Sequence, residues 1–384
     1  MERVHSLMMR HVTRRFGTTT ALEDFTLEIA GRSFVSLLGP SGCGKTTALN
    51  CLAGLLELSA GEILLNGAPI HDLPAERRGF GMVFQNYALF PHLTAARNVG
   101  YGLELRRVRK EERERRIQRA LEMVHLEDYA KRYPAQLSGG QQQRLAIART
   151  IVLGPSLLLL DEPLSNLDAN LRSEMRIEIK RIHGELGLTT VYVTHDQSEA
   201  MSMSDLVVVM RQGRIEQLGA PQAIFTRPSS LYVATFMGYS NRLPATVLGR
   251  EGEFWATQTP AGARLLASAP EGAEFSSGQA VTLCFRPDET LTDPLSATNQ
   301  LSGQVRLVEY MGKTFEALTH MAEHSGEPGQ QLLVHSPQSP APGATIAFGV
   351  RPERLLLFPA DEARVAGSTA AGLNGARPAL MEAL

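Results

Sequence analysis

Short apolar runs punctuate the first part of the chain: FVSLL (34–38), GMVF (81–84), LLLL (157–160), VYVT (191–194) and LVVVM (206–210). Each is bounded by glycine, proline or charge and does not alternate with polar residues, as a strand buried on both faces requires. The segments between them are long enough for crossover helices, so the pattern predicts an α/β domain with a largely parallel sheet. From about residue 103 to 132 strand-like runs almost vanish. There RRVRKEERERRIQRALEMVHL sets Ile117, Leu121, Val124 and His125 at helical spacing beneath a dense charged face, which predicts a helical insert.

After residue 239 the texture changes to short β-like segments with frequent Gly and Pro: RLPATVLG, EFWATQT, AVTLCFRP, GQVRLVEYMG, QQLLVHS and TIAFGVRPERLLLF. Such spacing predicts a small β-barrel or sandwich. A brief echo, Phe285-Arg286-Pro287-Asp288 and later Val350-Arg351-Pro352-Glu353, hints at a duplicated β module. Beyond Phe358 the tail is rich in Ala and Gly without sustained periodicity, and it is expected to be disordered or loosely helical.

Composition narrows the function classes. A chain of 384 residues is long for one domain, and 43% hydrophobic with 20% charged residues is an ordinary globular balance. Lys plus Arg (38) against Asp plus Glu (40) leaves a net charge of -2, without the basic footprint of a general nucleic-acid binder. Three cysteines, Cys43, Cys51 and Cys284, are too few for a disulfide scaffold and point to a reducing, intracellular compartment. No apolar run approaches the roughly 20 residues of a membrane-spanning helix. The opening MERVHSLMMRHVTRRF lacks the apolar core and cleavage site of a secretory leader, so work at a membrane would need a partner there.

The strongest single motif is Gly39-Pro40-Ser41-Gly42-Cys43-Gly44-Lys45-Thr46-Thr47, directly after FVSLL and before the helix-like ALNCLAGLL. It fits G-x-x-x-x-G-K-[ST] in a strand–loop–helix context. Backbone N–H groups of such a loop curl around a β-phosphate at the positive end of the following helix. Lys45 would reach the β- and γ-phosphates, and the Thr46 hydroxyl would take a Mg²⁺ position. Cys43 lies inside the loop, so a thiol reagent is expected to block nucleotide binding. Asp161 and Glu162 follow the LLLL run, where an open parallel sheet places its ligand crevice. Asp161 can hold the Mg²⁺ shell, and Glu162 can polarise the water that attacks the γ-phosphate.

Leu137-Ser138-Gly139-Gly140-Gln141 opens a second helix, LAIARTIV, with an anion-binding N-terminus. With the phosphate loop and the acidic pair in this order, the chain resembles the ATP-binding-cassette ATPases, whose LSGGQ signature closes over the nucleotide of the opposite subunit. The resemblance assigns Phe16 to adenine stacking, Gln85 to sensing Mg²⁺ and the γ-phosphate, and Ser165-Asn166-Leu167-Asp168 to communication across the dimer. It assigns His195 to contact with the γ-phosphate. NYALFPHLT after Gln85 and THDQSEAM around His195 look like the importer ATPases of the maltose, sugar-phosphate, polyamine and ferric-iron uptake group. In that group the segment after the glutamine accepts a helix from each of two membrane permease subunits, here near residues 85–91 with Tyr87, Leu89, Phe90 and Pro91 as apolar anchors. The group also carries a C-terminal regulatory domain of OB-like β modules.

The resemblance spans residues 5–358; beyond about 235 it rests on G-x-V-x-x-V-E-Y-M-G (303–312) and the R-P-[DE] echo. It implies a P-loop ATPase domain over 5–238, with a helical insert at about 87–140, and an all-β OB-like regulatory domain over 239–358. It further implies ATP and Mg²⁺ as ligands, a head-to-tail homodimer at the inner face of the cell membrane, and an external solute-binding protein upstream. Arg97 departs from the acidic residue that relatives often carry there, and Thr150 from the commoner Ala. One phosphate loop and no sustained heptads oppose translation- or repair-type cassettes, and the near-neutral charge opposes an oligonucleotide-reading β domain. The separate chain opposes an exporter. MGYSNRLPATV lies slightly nearer to polyamine- or organophosphonate-type systems than to sugar or ferric-iron ones.

Overall fold

The computed structural model describes residues 4–292, 299–321 and 330–360. Two compact units divide the chain, Met1–Gln222 and Ala223–Leu384.

The first unit begins with β1 (Ser6–Phe16), β2 (Thr19–Ala30), β3 (Phe34–Leu38), α1 (Lys45–Ala53), β4 (Ala60–Leu65), β5 (Ala68–Pro69), α2 (Ala75–Arg78) and β6 (Gly81–Val83). It continues with α3 (Ala95–Leu105), α4 (Lys110–Met123), α5 (Gly139–Ile151), β7 (Leu157–Asp161) and α6 (Ala169–Leu186). β8 (Thr189–Thr194), α7 (Gln197–Met203), β9 (Leu206–Arg211), β10 (Arg214–Gly219) and α8 (Pro221–Thr226) complete it, the last crossing into the second unit.

The apolar runs of the sequence fall on the central strands. β3, β7, β8, β9 and β6 pair in parallel, and β10 adds an antiparallel edge, in the order β10-β9-β3-β8-β7-β6. Every residue of β3, β7 and β8 is buried. The two-residue period of a strand splits them between two cores. Leu158, Leu160 and Tyr192 face the core shared with Val99, Leu121, Leu145 and Ile179 of the helices, while Leu157, Leu159, Val191 and Val193 face the core shared with Leu7, Phe25 and Leu49. An antiparallel sheet, β2-β1-β4-β5, closes that second core. Its strands had no apolar run to announce them, because only alternate residues of β2 are buried.

The insert is helical as expected, with Leu121 and Val124 buried in α4's seam. His125 departs from the expectation: α4 ends at Met123, His125 takes a left-handed φ of 55° and faces solvent, and Leu126 fills the core position.

The second unit contains α9 (Leu231–Phe236) and then β11 (Asn241–Glu251), β12 (Phe254–Gln258), β13 (Arg264–Ala267), β14 (Ala280–Phe285), β15 (Asn299–Tyr310), β16 (Phe315–His320), β17 (Gln331–Ser336), β18 (Thr345–Val350) and β19 (Leu356–Pro359). They form two antiparallel sheets, β13-β12-β11-β14-β19 and β17-β16-β15-β18, around one core. The duplication is real at atomic detail. Asn241 starts β11 and brackets the backbone of Leu333 in β17 with bonds of 2.7 and 2.7 Å; Asn299 starts β15 and brackets Leu266 in β13 at 2.7 and 2.8 Å. Thr257 bonds the Leu265 carbonyl and Thr319 the Leu332 carbonyl, both at 3.0 Å. Each Arg-Pro echo follows the last strand of its module and opens a short 3-10 turn.

The units part before the change of texture at residue 239. Buried Arg286 stacks on Phe225 at 3.7 Å and on Tyr239 at 4.7 Å, which fastens the intervening helical segment to the β modules. Of the tail, Pro359 ends β19, and residues 361–384 lie outside the described residues.

Candidate active site

The carboxyl ends of β3, β7 and β8 lie side by side, and each releases one chemical element of the site. β3 runs into the loop of residues 39–44 and then α1. Gly42 and Gly44 have φ of 80° and 104°, conformations that a Cβ disfavours. A Cβ at Gly44 would also stand 2.6 Å from the Ala21 carbonyl of β2, and one at Gly39 would stand 2.7 Å from the Met210 carbonyl of β9. The glycines therefore let the loop lie flat on its neighbours, with Ser41, Gly42 and Thr46 exposed. Lys45 is buried, and its ammonium donates to the carbonyls of Gly39 and Pro40 at 2.8 Å each. These bonds pin the cation at the start of α1, where the helix dipole already favours an anion.

Cys43 corrects one expectation. Its thiol points into the core with Leu49 and Val193, and burial raises its pKa above the usual value. A thiol reagent meets a shielded, protonated sulfur rather than an open reactive one.

Across the crevice the Thr46 hydroxyl donates to Asp161 Oδ1 at 3.0 Å. Burial is the main cause raising the Asp161 pKa, opposed by that hydrogen bond. A hydroxyl and a carboxylate, both hard oxygen donors, fit a Mg²⁺ ion, whose charge would offset the burial of the carboxylate. Glu162 follows with φ 42°, an uncommon conformation for a side-chain-bearing residue. It is held there because its N–H donates to the Val193 carbonyl at 3.1 Å, extending the β7–β8 ladder by one residue. The twist turns the carboxylate toward His195, whose Nδ1 lies 3.2 Å from Glu162 Oε2. His195 itself leaves the end of β8. Gln85 joins them through Ser165: the Gln85 amide donates to Ser165 Oγ at 3.3 Å, and that hydroxyl donates to the Glu162 carbonyl at 2.9 Å.

Ser138 and Asp168 are helix N-caps. Ser138 accepts from the Gln141 N–H at 3.4 Å while the Gln141 side chain accepts from the Ser138 N–H at 2.9 Å, a reciprocal capping box that occupies Gln141. Asp168 accepts from Leu171 N at 3.0 Å. Gly139 and Gly140 let α5 approach the 165–168 loop and the start of α6: a Cβ would lie 3.2 Å from Leu167 at Gly139 and 2.7 Å from Leu171 at Gly140. Phe16 ends β1, exposed, with the Arg14 guanidinium 4.5 Å over its ring.

One residue that shapes the site, Arg149, carried no sequence signal strong enough to single it out. Arg149 donates to the carbonyls of Tyr87 (2.9 Å) and Ala88 (2.6 Å), both at positive φ, and so fixes the chain just after Gln85. Of the four apolar residues singled out there, Phe90 lines a groove of about 430 Å³ with Phe80, Met82, Phe84, Tyr101 and Leu153. Tyr87 is core, and Leu89 packs against it. Arg97 sits in the first turn of α3, exposed.

A phosphate loop, an acidic pair with a facing histidine, and a separate serine-capped helix on one mixed sheet define a nucleoside-triphosphate-hydrolysing cassette. The profile of the ABC transporter family matches residues 22–165. The spermidine/putrescine import ATP-binding protein PotA of Oleidesulfovibrio alaskensis is 46% identical over 330 residues, 85% of this chain and 88% of the relative. The Fe(3+) ions import ATP-binding protein FbpC 1 of Pectobacterium atrosepticum is 40% identical over 85% of this chain and 94% of the relative. Among solved structures, cbiO1 from Clostridium perfringens, part of an ABC transporter complex, aligns with a TM-score of 0.55 at 30% identity, over 58% of this chain and 91% of that one. A cassette described as dimeric, MJ0796, aligns with a TM-score of 0.51 at 34% identity, over 56% and 98%. The same cassette is known in a post-hydrolysis state with ADP and Pi. The chain belongs to the ABC transporter family and is an importer ATPase subunit. Among the described residues no helix is long and apolar enough to cross a membrane.

Proposed function

We propose that this ATPase powers polyamine uptake, working as a head-to-tail homodimer that closes over two molecules of ATP. Phe16 stacks on adenine, residues 39–47 wrap the phosphates, and Lys45 meets the β- and γ-oxygens. Thr46, Asp161 and Gln85 hold Mg²⁺, which when bound neutralises charge developing on the phosphates. Glu162 polarises the attacking water and His195 contacts the γ-phosphate. Ser138, Gly139, Gly140 and Gln141 of one copy complete the other copy's site, with Asp168 at the seam. Closure supplies positioning and charge stabilisation, from which most of the acceleration of phosphoryl transfer comes.

The observation that carries this reading is the division of the machinery. Lys45, Thr46, Asp161, Glu162 and His195 converge at three strand ends, whereas the Ser138 side chain caps its own helix and bonds Gln141. A helix N-terminus of that kind is a ready anion site awaiting a phosphate from elsewhere.

Polyamine cargo is supported by the names of the relatives, including a second PotA, from Nitratidesulfovibrio vulgaris, at 45% identity. The ferric-iron relative favours iron as the second reading. The groove of Phe80, Phe84, Phe90 and Tyr101 suits an amphipathic helix from each of two permease subunits at the inner membrane face, with a solute-binding protein outside. Residues 239–358 act as a regulatory domain.

Glu162→Gln tests the core of the reading. The variant should bind ATP as the wild type does, hydrolyse it at least about 100-fold more slowly, and accumulate as a dimer on gel filtration with ATP. Near-normal turnover would remove Glu162 from its role. In cells lacking the chain, uptake of labelled spermidine and putrescine should be lost and restored by wild type but not by Glu162→Gln. Loss of ferric uptake instead would decide for iron.

A further inference from the structure

The loop at residues 165–168 follows β7 and His195 follows β8, and one side chain joins them. Arg172 lies one turn into α6, its N–H bonded to the Asp168 carbonyl at 2.9 Å. Its guanidinium folds back so that Nη2 donates to the Leu167 carbonyl at 2.9 Å. Nη1 stands 3.7 Å from Asp196 Oδ2, and Nε stands 3.9 Å from Glu199 Oε1. Nε is buried without a hydrogen-bond partner.

On the other side, Glu199 is 4% exposed and grips both neighbours of His195. Its Oε2 accepts from Thr194 Oγ1 at 2.6 Å and from Tyr192 OH at 2.7 Å, and its N–H donates to Asp196 Oδ1 at 3.1 Å. Thr194 Oγ1 in turn accepts from the Asp196 N–H at 3.0 Å. The backbone either side of His195 is thus set by Glu199, and Glu199 faces Arg172.

We infer that Arg172 is a positioning residue that couples the 165–168 loop to His195 within one chain. Its firm bond goes to the loop carbonyl, while its two carboxylate neighbours stand beyond hydrogen-bond distance and one N–H stays unmatched. Both carboxylates stand within ion-pair reach, so the half-engaged fork can tighten on Asp196 and Glu199 when Leu167 shifts, and Leu167 is the side chain wedged against Gly139 of α5. Engagement of a second copy at Asp168 then reaches the γ-phosphate histidine through a single guanidinium. Arginine's planar fork addresses the carbonyl and the two carboxylates from three separate nitrogens, whereas a lysine ammonium would have to bring all three to one atom.

The inference rests on the roles proposed above for Asp168 and His195, so wild type and Glu162→Gln serve as controls. ATP turnover of the full chain is titrated with ATP for wild type, Arg172→Ala and Arg172→Lys, beside ATP affinity and melting temperature. Arg172→Ala should keep ATP affinity, lose about tenfold in kcat, the range for residues in a coupling network, and shift from sigmoidal toward hyperbolic ATP dependence. Arg172→Lys should restore the melting temperature without restoring kcat or cooperativity. Should Arg172→Ala not fold, Arg172→Lys alone decides. Wild-type kcat and cooperativity in the folded Ala variant, full rescue by Lys, or a kcat loss matched by an equal loss of ATP affinity would each overturn the inference. If the wild type itself fails to hydrolyse ATP or to saturate cooperatively, the underlying reading fails instead.

Discussion

The two asparagines that open the β modules give a test of the duplication. Asn241 and Asn299 are 2% and 1% exposed, and each side chain makes two backbone hydrogen bonds at 2.7–2.8 Å to a strand of the other module. Replacing either by Ala removes both bonds and leaves an N–H and a C=O of a half-buried strand residue without these partners. Each orphaned group costs about 1–3 kcal/mol, so partial relaxation leaves about 2–4 kcal/mol for either variant. The geometry at the two sites is nearly the same, so the losses should agree within about 1 kcal/mol. The chain has a single tryptophan, Trp255, buried in the core of the β modules, so its fluorescence follows this unit alone. With an m-value of about 2 kcal/mol/M, urea midpoints should fall by about 1–2 M for Asn241→Ala and for Asn299→Ala alike. ATP binding by the first unit should persist at denaturant levels where Trp255 is already exposed in the variants. A midpoint that moves for one asparagine and not for the other would refute the symmetry as an energetic fact.

Two further outcomes follow from buried titratable groups. Burial is the main cause holding the Glu199 carboxyl above its ordinary value of 4.5, with the Thr194 and Tyr192 hydrogen bonds opposing. The folded chain therefore binds a proton that the unfolded chain releases, so this contribution favours folding below about 4.5 and is lost as pH rises through the folded-state value. Glu199→Gln should flatten the fall of melting temperature across that window, and identical pH slopes in variant and wild type would discard the account. Burial pushes the Cys51 thiol up to about 11 and also raises Cys43 and Cys284. A maleimide at pH 8 should label native protein slowly and denatured protein at all three cysteines. Fast native labelling at Cys43 would place that thiol outside the core.

The central strands and the insert were legible because burial on both faces, or on one helical face, leaves a direct mark on residue order. FVSLL, LLLL and VYVT fall on β3, β7 and β8, and Leu121 and Val124 on the seam of α4. β1, β2 and β4 were missed because a half-buried strand such as TTALEDFTLEIA mixes charge into its apolar positions. The groove near Gln85 was legible only as a location. Tyr87 and Leu89 looked like anchors but face inward, since two successive left-handed residues, held by Arg149, reverse the facing that an extended chain would have.

The residues proposed to meet the phosphates were fixed by local order, since a phosphate loop is one turn between one strand and one helix, and its glycines, lysine and threonine are neighbours along the chain. Residue order alone does not specify which distant groups meet. That Thr46 faces Asp161, that Glu162 twists toward His195, and that Arg172 stands between Leu167 and Glu199 depend on the lateral order of β3, β8 and β7. Strand order is set by which apolar faces can be buried together across the whole sheet, a property of the assembled core rather than of any single segment.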